Sequence, residues 1–197
     1  MIVGMAIENL AWVLPRPSKS QYIGSFPLHF EKKLLRLLGL HPDGVFRHLI
    51  LHPFGGKVEF GLRLDILPQV EPDIVGDAHQ LPFRDEVFDC VILDPPYTDE
   101  HSKRLYNTGK LKFGRYTSEA VRVLKDGGYL VFYHWIATPR IPNTVLVKRI
   151  LLETRVWHKL RCVHIHRKDV RAWQHETKDW HGATFYPRDH KQTDWRW

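Results

Sequence analysis

Apolar residues run through this chain in short stretches, each closed by a polar turn or by glycine and proline. Runs of roughly four to eight such residues, rich in valine, isoleucine and leucine, predict buried strands. Five strands are predicted in this way, at 45–51, 62–66, 72–77, 88–94 and 129–135.

Longer amphipathic patterns predict helices around these strands. Apolar residues at helical spacing predict a helix over Leu28 to Leu38, with Gly39 as its stop. Residues 116–128 predict a second helix that is closed by a pair of glycines, and residues 143–151 predict a third. Residues 154–168 predict a closing pair of strands.

Strands that alternate with helices or long loops predict an open, mainly parallel α/β sheet. A chain of 197 residues is long enough for one such domain and short for two. We predict a single domain with three parts: an N-terminal segment and helix at 1–40, a central sheet at 41–168, and a tryptophan-rich tail at 169–197. Ligands of such sheets bind beyond the carboxyl ends of the strands.

The formal charge of +7 suits an acidic partner but excludes little by itself. Its distribution is more informative, because residues 61–100 hold 2 basic and 10 acidic side chains, whereas residues 101–168 hold 15 and 3. The sign therefore changes just after residue 100, which indicates a polarised site rather than a uniformly charged surface.

Cysteine content and the opening segment bear on the compartment. Cys90 and Cys162 lie in apolar runs and cannot form a disulfide framework, which favours a reducing cytosol. The apolar stretch 1–15 is interrupted by Glu8 and Asn9 and is shorter than the ~20 residues of a membrane span. We therefore expect a cytoplasmic protein without targeting or membrane segments.

Three of the predicted strands end in residues suited to a nucleoside. The stretch "HPFGG" at 52–56 can turn tightly and let a ligand approach the backbone. Asp65 could accept hydrogen bonds from two ribose hydroxyls, and Asp77 from the amine of an adenine. Each residue taken alone has an ordinary alternative, since a Gly-Gly pair is usually a turn and an Asp after a strand is usually a cap.

The strand at 88–94 ends in the stretch "DPPY" at 94–97. Proline fixes its own φ and keeps the preceding residue extended, so the Asp94 carboxylate and the Pro95 carbonyl form a rigid edge of acceptors. The exocyclic amine of a planar base matches this edge, while its ring stacks on Tyr97. Acceptors that engage both amine hydrogens favour a nitrogen that can attack an electrophilic methyl group.

These stretches resemble a known family. Residues 76–97, "GDAHQLPFRDEVFDCVILDPPY", resemble the third and fourth motifs of class I S-adenosylmethionine-dependent methyltransferases that modify amino groups of nucleobases. The "DPPY" form is similar to that of DNA adenine-N6 methyltransferases, and some tRNA and rRNA guanine-N2 methyltransferases carry it too. Including residues 22–39, "HPFGG" and "RVLKDGGYLVFYHW", the resemblance spans roughly residues 19–135.

The resemblance implies a Rossmann-like methyltransferase sheet, mostly parallel with a C-terminal antiparallel strand, and S-adenosylmethionine as cofactor. It implies a catalytic edge at Asp94, Pro95, Pro96 and Tyr97. It implies a cofactor site made by Tyr22, Ser25, Phe26, Pro27, His52, Pro53, Phe54, Gly55, Gly56, Lys57, Asp65, Ile66, Asp77, Ala78, His79 and Asp94.

One stretch departs from the family pattern "DPFxGSG". His52 stands where the first acid is expected, and Lys57 and Val58 stand where Ser and Gly are expected. Residues 52–61 are also too few for a helical crossover, which needs about a dozen residues. The first crossover helix is therefore predicted to be reduced or missing, and Lys57 or Glu59 to supply cofactor contacts instead.

Basic and aromatic residues interleave after the prolines, which is typical of a nucleic-acid-binding loop. A solvated loop and helix face is the alternative. A base in duplex DNA would have to be flipped out to reach the site. The residues assigned to nucleic-acid binding are Lys103, Arg104, Tyr106, Lys110, Lys112 and Arg115.

We predict a methyltransferase that acts on adenine N6 in DNA. The alternatives are an RNA guanine-N2 or adenine-N6 methyltransferase and a non-catalytic nucleic-acid-binding protein on the same fold. No metal is predicted, because His164 and His166 alternate as strand residues do and no paired cysteines support zinc. For the tail, an ordered flap, a dimer contact and a mobile arm stay open.

Overall fold

The computed structural model describes residues 7–16, 26–41, 48–58, 60–96, 111–135, 137–154 and 160–171. Eight strands, two α-helices and a 3-10 helix at Pro68–Val70 have both ends in these residues, and Val170 and Arg171 are also helical. The helices are α1 (Phe30–Leu38) and α2 (Phe113–Val123), and the strands are β1 (Glu8–Val13), β2 (Ile50–His52), β3 (Leu62–Asp65), β4 (Ile74–Val75), β5 (Phe88–Leu93), β6 (Leu124–His134), β7 (Thr144–Glu153) and β8 (Arg161–Lys168).

The eight strands form one sheet in the order β1-β7-β8-β6-β5-β2-β3-β4. All neighbouring strands are parallel except at β8, which is antiparallel to both β6 and β7. The predicted fold class is confirmed: a Rossmann-like α/β sheet, mostly parallel, with an antiparallel C-terminal strand.

The connection from β2 to β3 contains no helix in its described residues, 53–58 and 60–61, which form turns. This confirms the predicted loss of the first crossover helix. The loop instead folds back onto β3, where the Gly55 N–H donates to the Leu64 carbonyl at 2.9 Å. From β3 to β4 the chain makes only the 3-10 helix.

Side chains on the two faces of the sheet form two hydrophobic cores, because successive strand residues point to opposite faces. One core packs against α1 and contains Phe30, Leu34 and Ile50. The other packs against α2 and contains Leu51 and Ala120. One face of the sheet is therefore covered by α1 and the other by α2, and the strand ends lie between these two helices.

Three predicted elements differ from the structure. The predicted helix at 143–151 is wrong, since these residues belong to strand β7, which pairs with β1 on one side and β8 on the other. Hydrogen bonds on both edges satisfy the backbone groups of β7, and this pairing outweighs the helical spacing of its apolar residues. In its described residues, the predicted strand pair at 154–168 supplies β8, which is antiparallel to both β6 and β7. Strand β1 was not predicted.

Helix α2 also begins and ends earlier than its sequence pattern indicates. It begins at Phe113 and ends at Val123, and β6 follows at once from Leu124. The pair of glycines lies inside β6, where Gly127 has a φ of 74° and the β5–β6 register shifts. No helix in the described residues is long and apolar enough to cross a membrane.

Replacement of Gly114 in the first turn of α2 is expected to stabilise the protein. No atom lies within 4 Å of the Cβ that Gly114→Ala would add. Alanine restricts the unfolded chain more than glycine does, so we expect a gain of about 0.5 kcal/mol in the free energy of unfolding. Urea unfolding measures it. Gly127→Ala is the matched control and should destabilise, because Gly127 has a positive φ.

Candidate functional site

The carboxyl ends of β2 to β6 meet along one edge of the sheet, because these five strands are mutually parallel neighbours. His52, Asp65, Asp77 and Asp94 lie at or just beyond the ends of β2, β3, β4 and β5 respectively. Residues scattered over 43 positions of the chain are thus brought to one edge, with three carboxylates among them.

Asp65 joins the "HPFGG" loop to the end of β3. Its Oδ2 accepts from the Gly56 N–H at 3.0 Å and its Oδ1 accepts from the Leu67 N–H at 3.0 Å. The residue is 6% exposed, and each oxygen keeps a lone pair for a ligand. Glycine is required at 55, because a Cβ there would lie 2.7 Å from the Cβ of Arg63. Asp65 therefore shapes the loop, and its predicted role toward ribose stays a prediction.

Asp77 and His79 form a hydrogen-bonded turn after β4. The Asp77 Oδ1 accepts from the His79 N–H at 2.8 Å and lies 2.7 Å from His79 Nδ1. Partial burial acts to raise the pKa of Asp77, but its hydrogen bonds with His79 outweigh burial and lower it. The carboxylate is 53% exposed and keeps its charge at neutral pH, while Ala78 between the two is buried.

His79 also connects this turn to α2. Its Nε2 accepts from the N–H of Lys112, the residue before the first helical turn, at 3.0 Å. With Nδ1 directed at Asp77, both ring nitrogens of His79 are engaged. The ring of Tyr116 packs against His79 with centroids 6.0 Å apart, and against Phe54 at 5.4 Å.

Glu119 and Arg122 of α2 clamp the next turn of the chain. Glu119 Oε2 accepts from the Leu81 N–H at 2.8 Å. The Arg122 guanidinium donates to the carbonyls of Leu81 and Phe83, to both oxygens of Glu119, and to Asp85. This clamp holds the segment that follows Asp77. No spacing in the sequence predicts the clamp, because Arg122 and the residues it holds lie about forty positions apart.

Removal of the Arg122 side chain is expected to destabilise this turn strongly. Arg122→Ala removes the guanidinium donors from two backbone carbonyls and from Glu119, so we expect a loss of ~2–3 kcal/mol in the free energy of unfolding, discounted for partial exposure. For a chain of this length that corresponds to a fall in Tm of roughly 5–10 °C, measured by calorimetry. Arg84→Ala, which removes an exposed arginine of the same turn, should leave the Tm within about 2 °C.

Aromatic residues close the site on the α1 side. The ring of Phe26 lies 5.0 Å from Tyr133 and 6.4 Å from His52 between centroids. Pro27 is buried beside them in the chain. Burial lowers the pKa of His52 to about 4, so this imidazole is neutral at physiological pH. His52 therefore adds no positive charge to this aromatic wall.

Asp94 and Pro95 continue β5 into the site, with Asp94 half-buried and Pro95 buried. Burial first, and then the charge of Asp94, raise the pKa of the Tyr133 hydroxyl. This proximity agrees with the register, in which Leu93 is opposite Phe132 of β6. Tyr133 and the buried His134 were not predicted as site residues. The sequence signal that could have identified them is that the predicted strand 129–135 ends in polar residues.

The predicted site residues divide into three groups. Phe54 packs into the α2 core, whereas Lys57 and Ile66 are exposed on the loops after β2 and β3. Lys112 and Arg115 are exposed at the start of α2, close to the Asp77 turn. Tyr22, Ser25, Tyr97, Lys103, Arg104, Tyr106 and Lys110 lie outside the described residues.

Metal binding has no support in the part of the chain that the structure describes. No three His, Cys, Asp or Glu side chains there lie close enough to hold an ion. Buried His164 and His166 instead bond to their neighbours: His164 Nδ1 accepts from the Thr138 N–H at 3.4 Å, and His166 Nδ1 lies 3.1 Å from the Thr144 hydroxyl.

Residues 64–132 match the model of a protein family described as a methyltransferase domain. The matched segment runs from β3 to β6 and includes Asp65, Asp77 and Asp94. It supports a methyltransferase that uses S-adenosylmethionine. No curated protein matches the chain.

Solved methyltransferase structures are similar to the chain at low identity. TrmN from Thermus thermophilus is 18% identical with a TM-score of 0.48, over 70% of this chain and 47% of that one. The N-methyltransferase NodS from Bradyrhizobium japonicum is 13% identical with a TM-score of 0.47, over 71% and 96%. The 1,6-didemethyltoxoflavin-N1-methyltransferase from Burkholderia thailandensis is 12% identical with a TM-score of 0.48, over 70% and 76%.

The chain spans about half the length of three of the similar structures, covering 49%, 48% and 47% of their residues. Similarity at this level does not identify a substrate.

Proposed function

We propose that this protein is a methyltransferase that transfers the methyl group of S-adenosylmethionine to the N6 amine of adenine in DNA. The observation that carries the proposal is that Asp94 and Pro95 follow the end of β5, at the same edge of the sheet as two further carboxylates, Asp65 and Asp77, which follow β3 and β4. The match of residues 64–132 to a methyltransferase domain supports it.

The residues present fit S-adenosylmethionine. Asp77, exposed and charged, suits the amine of an adenine, and Asp65 has lone pairs for ribose hydroxyls. Gly56, beside which an added Cβ would meet open space, lets a ligand approach the backbone of the loop after β2. When bound, the cofactor supplies an electrophilic methyl group on a positively charged sulfur.

The chemistry of this chain would act on the amine of the target base. An aromatic amine is a weak nucleophile because its lone pair is delocalised into the ring. The Asp94 carboxylate and the Pro95 carbonyl would accept its two hydrogens and stabilise the positive charge that develops on nitrogen during attack. The two prolines keep these acceptors in place, so little reorganisation is needed at the moment of reaction.

Charge supports a nucleic-acid substrate over a small molecule. Residues 101–168 hold 15 basic and 3 acidic side chains, and Lys112 and Arg115 of this stretch are exposed at the start of α2. Basic groups beside a base pocket would neutralise phosphates, and a flipped adenine would reach the Asp94 edge.

The experiment is methyl transfer from labelled S-adenosylmethionine to duplex DNA, single-stranded DNA, tRNA and rRNA in parallel, with nucleoside mass spectrometry on the products. N6-methyldeoxyadenosine from DNA is the expected product. Methyl groups found only in RNA would replace the DNA proposal with the RNA alternative.

Failure to bind S-adenosylhomocysteine by calorimetry, in a folded protein, would favour a non-catalytic nucleic-acid-binding protein. The departures at His52 and Lys57 motivate that control.

A further inference from the structure

One histidine ring joins the turn after β4 to the start of α2. The Nδ1 atom of His79 lies 2.7 Å from Asp77 Oδ1, and its Nε2 accepts from the Lys112 N–H at 3.0 Å. The His79 side chain is 15% exposed, and the ring of Tyr116 packs against it with centroids 6.0 Å apart. Two polar contacts and one ring contact therefore fix the orientation of this imidazole.

On the cofactor side, the His79 contacts set the direction of the Asp77 carboxylate. Oδ1 takes both of them, one from the His79 N–H at 2.8 Å and one with the ring. A carboxyl group that is held through one oxygen presents its other oxygen in a fixed direction, and the Asp77 side chain is 53% exposed. An acceptor that is oriented before its ligand arrives binds more tightly, because less ordering is left to be done.

On the other side, the His79 ring sets where α2 begins. Lys112 precedes the first turn of α2, and its own side chain makes no capping hydrogen bond. The ring holds its backbone N–H instead. Lys112 and Arg115 are exposed there, and Arg115 lies close enough to Asp77 to interact with its charge. Holding the backbone at Lys112 therefore fixes the place from which two cations project.

We propose that His79 is a positioning residue for both ligands of the site: one ring nitrogen orients Asp77 toward the cofactor, and the other places the basic start of α2 against the nucleic acid. This inference rests on the proposed function, in which Asp77 accepts from the adenine amine and Lys112 and Arg115 contact phosphates. His79 acts through these residues and need touch neither ligand.

Two substitutions separate the two contacts. His79→Asn keeps an amide group at the position of Nδ1 and nothing at that of Nε2, whereas His79→Gln keeps an amide group near the position of Nε2 and nothing at that of Nδ1. Calorimetry with S-adenosylhomocysteine and fluorescence anisotropy with a short labelled DNA duplex measure the two affinities. His79→Asn should weaken DNA binding about fivefold, as expected for loss of one hydrogen bond, and leave S-adenosylhomocysteine within about twofold. His79→Gln should show the opposite pattern.

His41→Asn is the matched control, because it replaces an exposed histidine just before β2, at the opposite end of the sheet, and should change neither affinity. Equal weakening of both ligands by both His79 variants would mean a general structural role and overturn the inference. Unchanged affinities would overturn it too, and both results would leave the proposed function standing. A wild type that fails to bind S-adenosylhomocysteine or DNA would overturn the proposed function and this inference with it.

Discussion

Asp94→Ala is expected to lower kcat for methyl transfer at least ~100-fold, the scale seen when one preorganised group that stabilises developing charge is removed. The carboxylate lies at the end of β5, where it and the Pro95 carbonyl are the proposed acceptors of the target amine. Binding of S-adenosylhomocysteine should weaken less than about tenfold, because Asp65 and Asp77 remain. Single-turnover transfer and calorimetry measure the two quantities separately.

Two further variants test whether the loss of activity comes from the Asp94 carboxylate. Asp94→Asn keeps one acceptor oxygen and should fall between the wild type and Asp94→Ala. Asp126→Ala removes an exposed carboxylate from the opposite end of the neighbouring strand β6 and should keep full activity. Transfer by Asp94→Ala within threefold of the wild type would show that the amine is activated elsewhere.

Stability is expected to fall by several kcal/mol when the pH is lowered from 7 to 4.5. Burial lowers the pKa of four histidines to about 4, from an ordinary value of 6.5. They are His52, His134, His164 and His166. The folded protein keeps these rings neutral in that range while the unfolded chain protonates them, so the unfolded state binds more protons and acid favours it.

Acid is therefore expected to destabilise the folded protein. Above pH 6.5 the rings are neutral in both states and cost nothing, and the full penalty of about 3 kcal/mol per ring is reached below pH 4. Four such penalties are comparable with the whole stability of a typical domain, about 5–15 kcal/mol, so acid unfolding should have a midpoint between about pH 4 and 6. Urea unfolding at pH 5, 6 and 7 measures the slope.

A matched pair of variants tests this explanation. His134→Gln should reduce the slope of unfolding free energy against pH by about one proton's worth, ~1.4 kcal/mol per pH unit. His29→Asn, at an exposed position with a φ of 66° that asparagine tolerates, should leave the slope unchanged. A stability that stays flat down to pH 4.5 would contradict the buried neutral rings.

The central strands and their ends were predictable because local signals agree there. Apolar runs gave β3, β4, β5 and most of β6, and the shortness of residues 52–61 gave the missing crossover helix. Each of these depends on composition within a few residues. The polar residues that follow the runs then fall at one edge because parallel strands share a direction.

Strand β7 and the Arg122 clamp were not predictable because they depend on distant partners. The stretch "TVLVKRILLE" has apolar spacing that suits a helix or a strand, and β1 and β8 decide between them by pairing with its two edges. The carbonyl acceptors of Arg122 lie 39 and 41 positions away in the sequence. The proximity of Glu31 to His52 likewise requires knowing where α1 packs.

The edge strand β1 sets the order in which the sheet can be completed. It pairs in parallel with β7, and Glu8 lies opposite Lys148, 140 positions further along the sequence. A contact of such high sequence separation is slow to form, since a long loop must close before any pairing is gained. During synthesis β1 is made first but cannot pair until β7 has been made. Strand β1 should therefore be the final strand to join the sheet during folding.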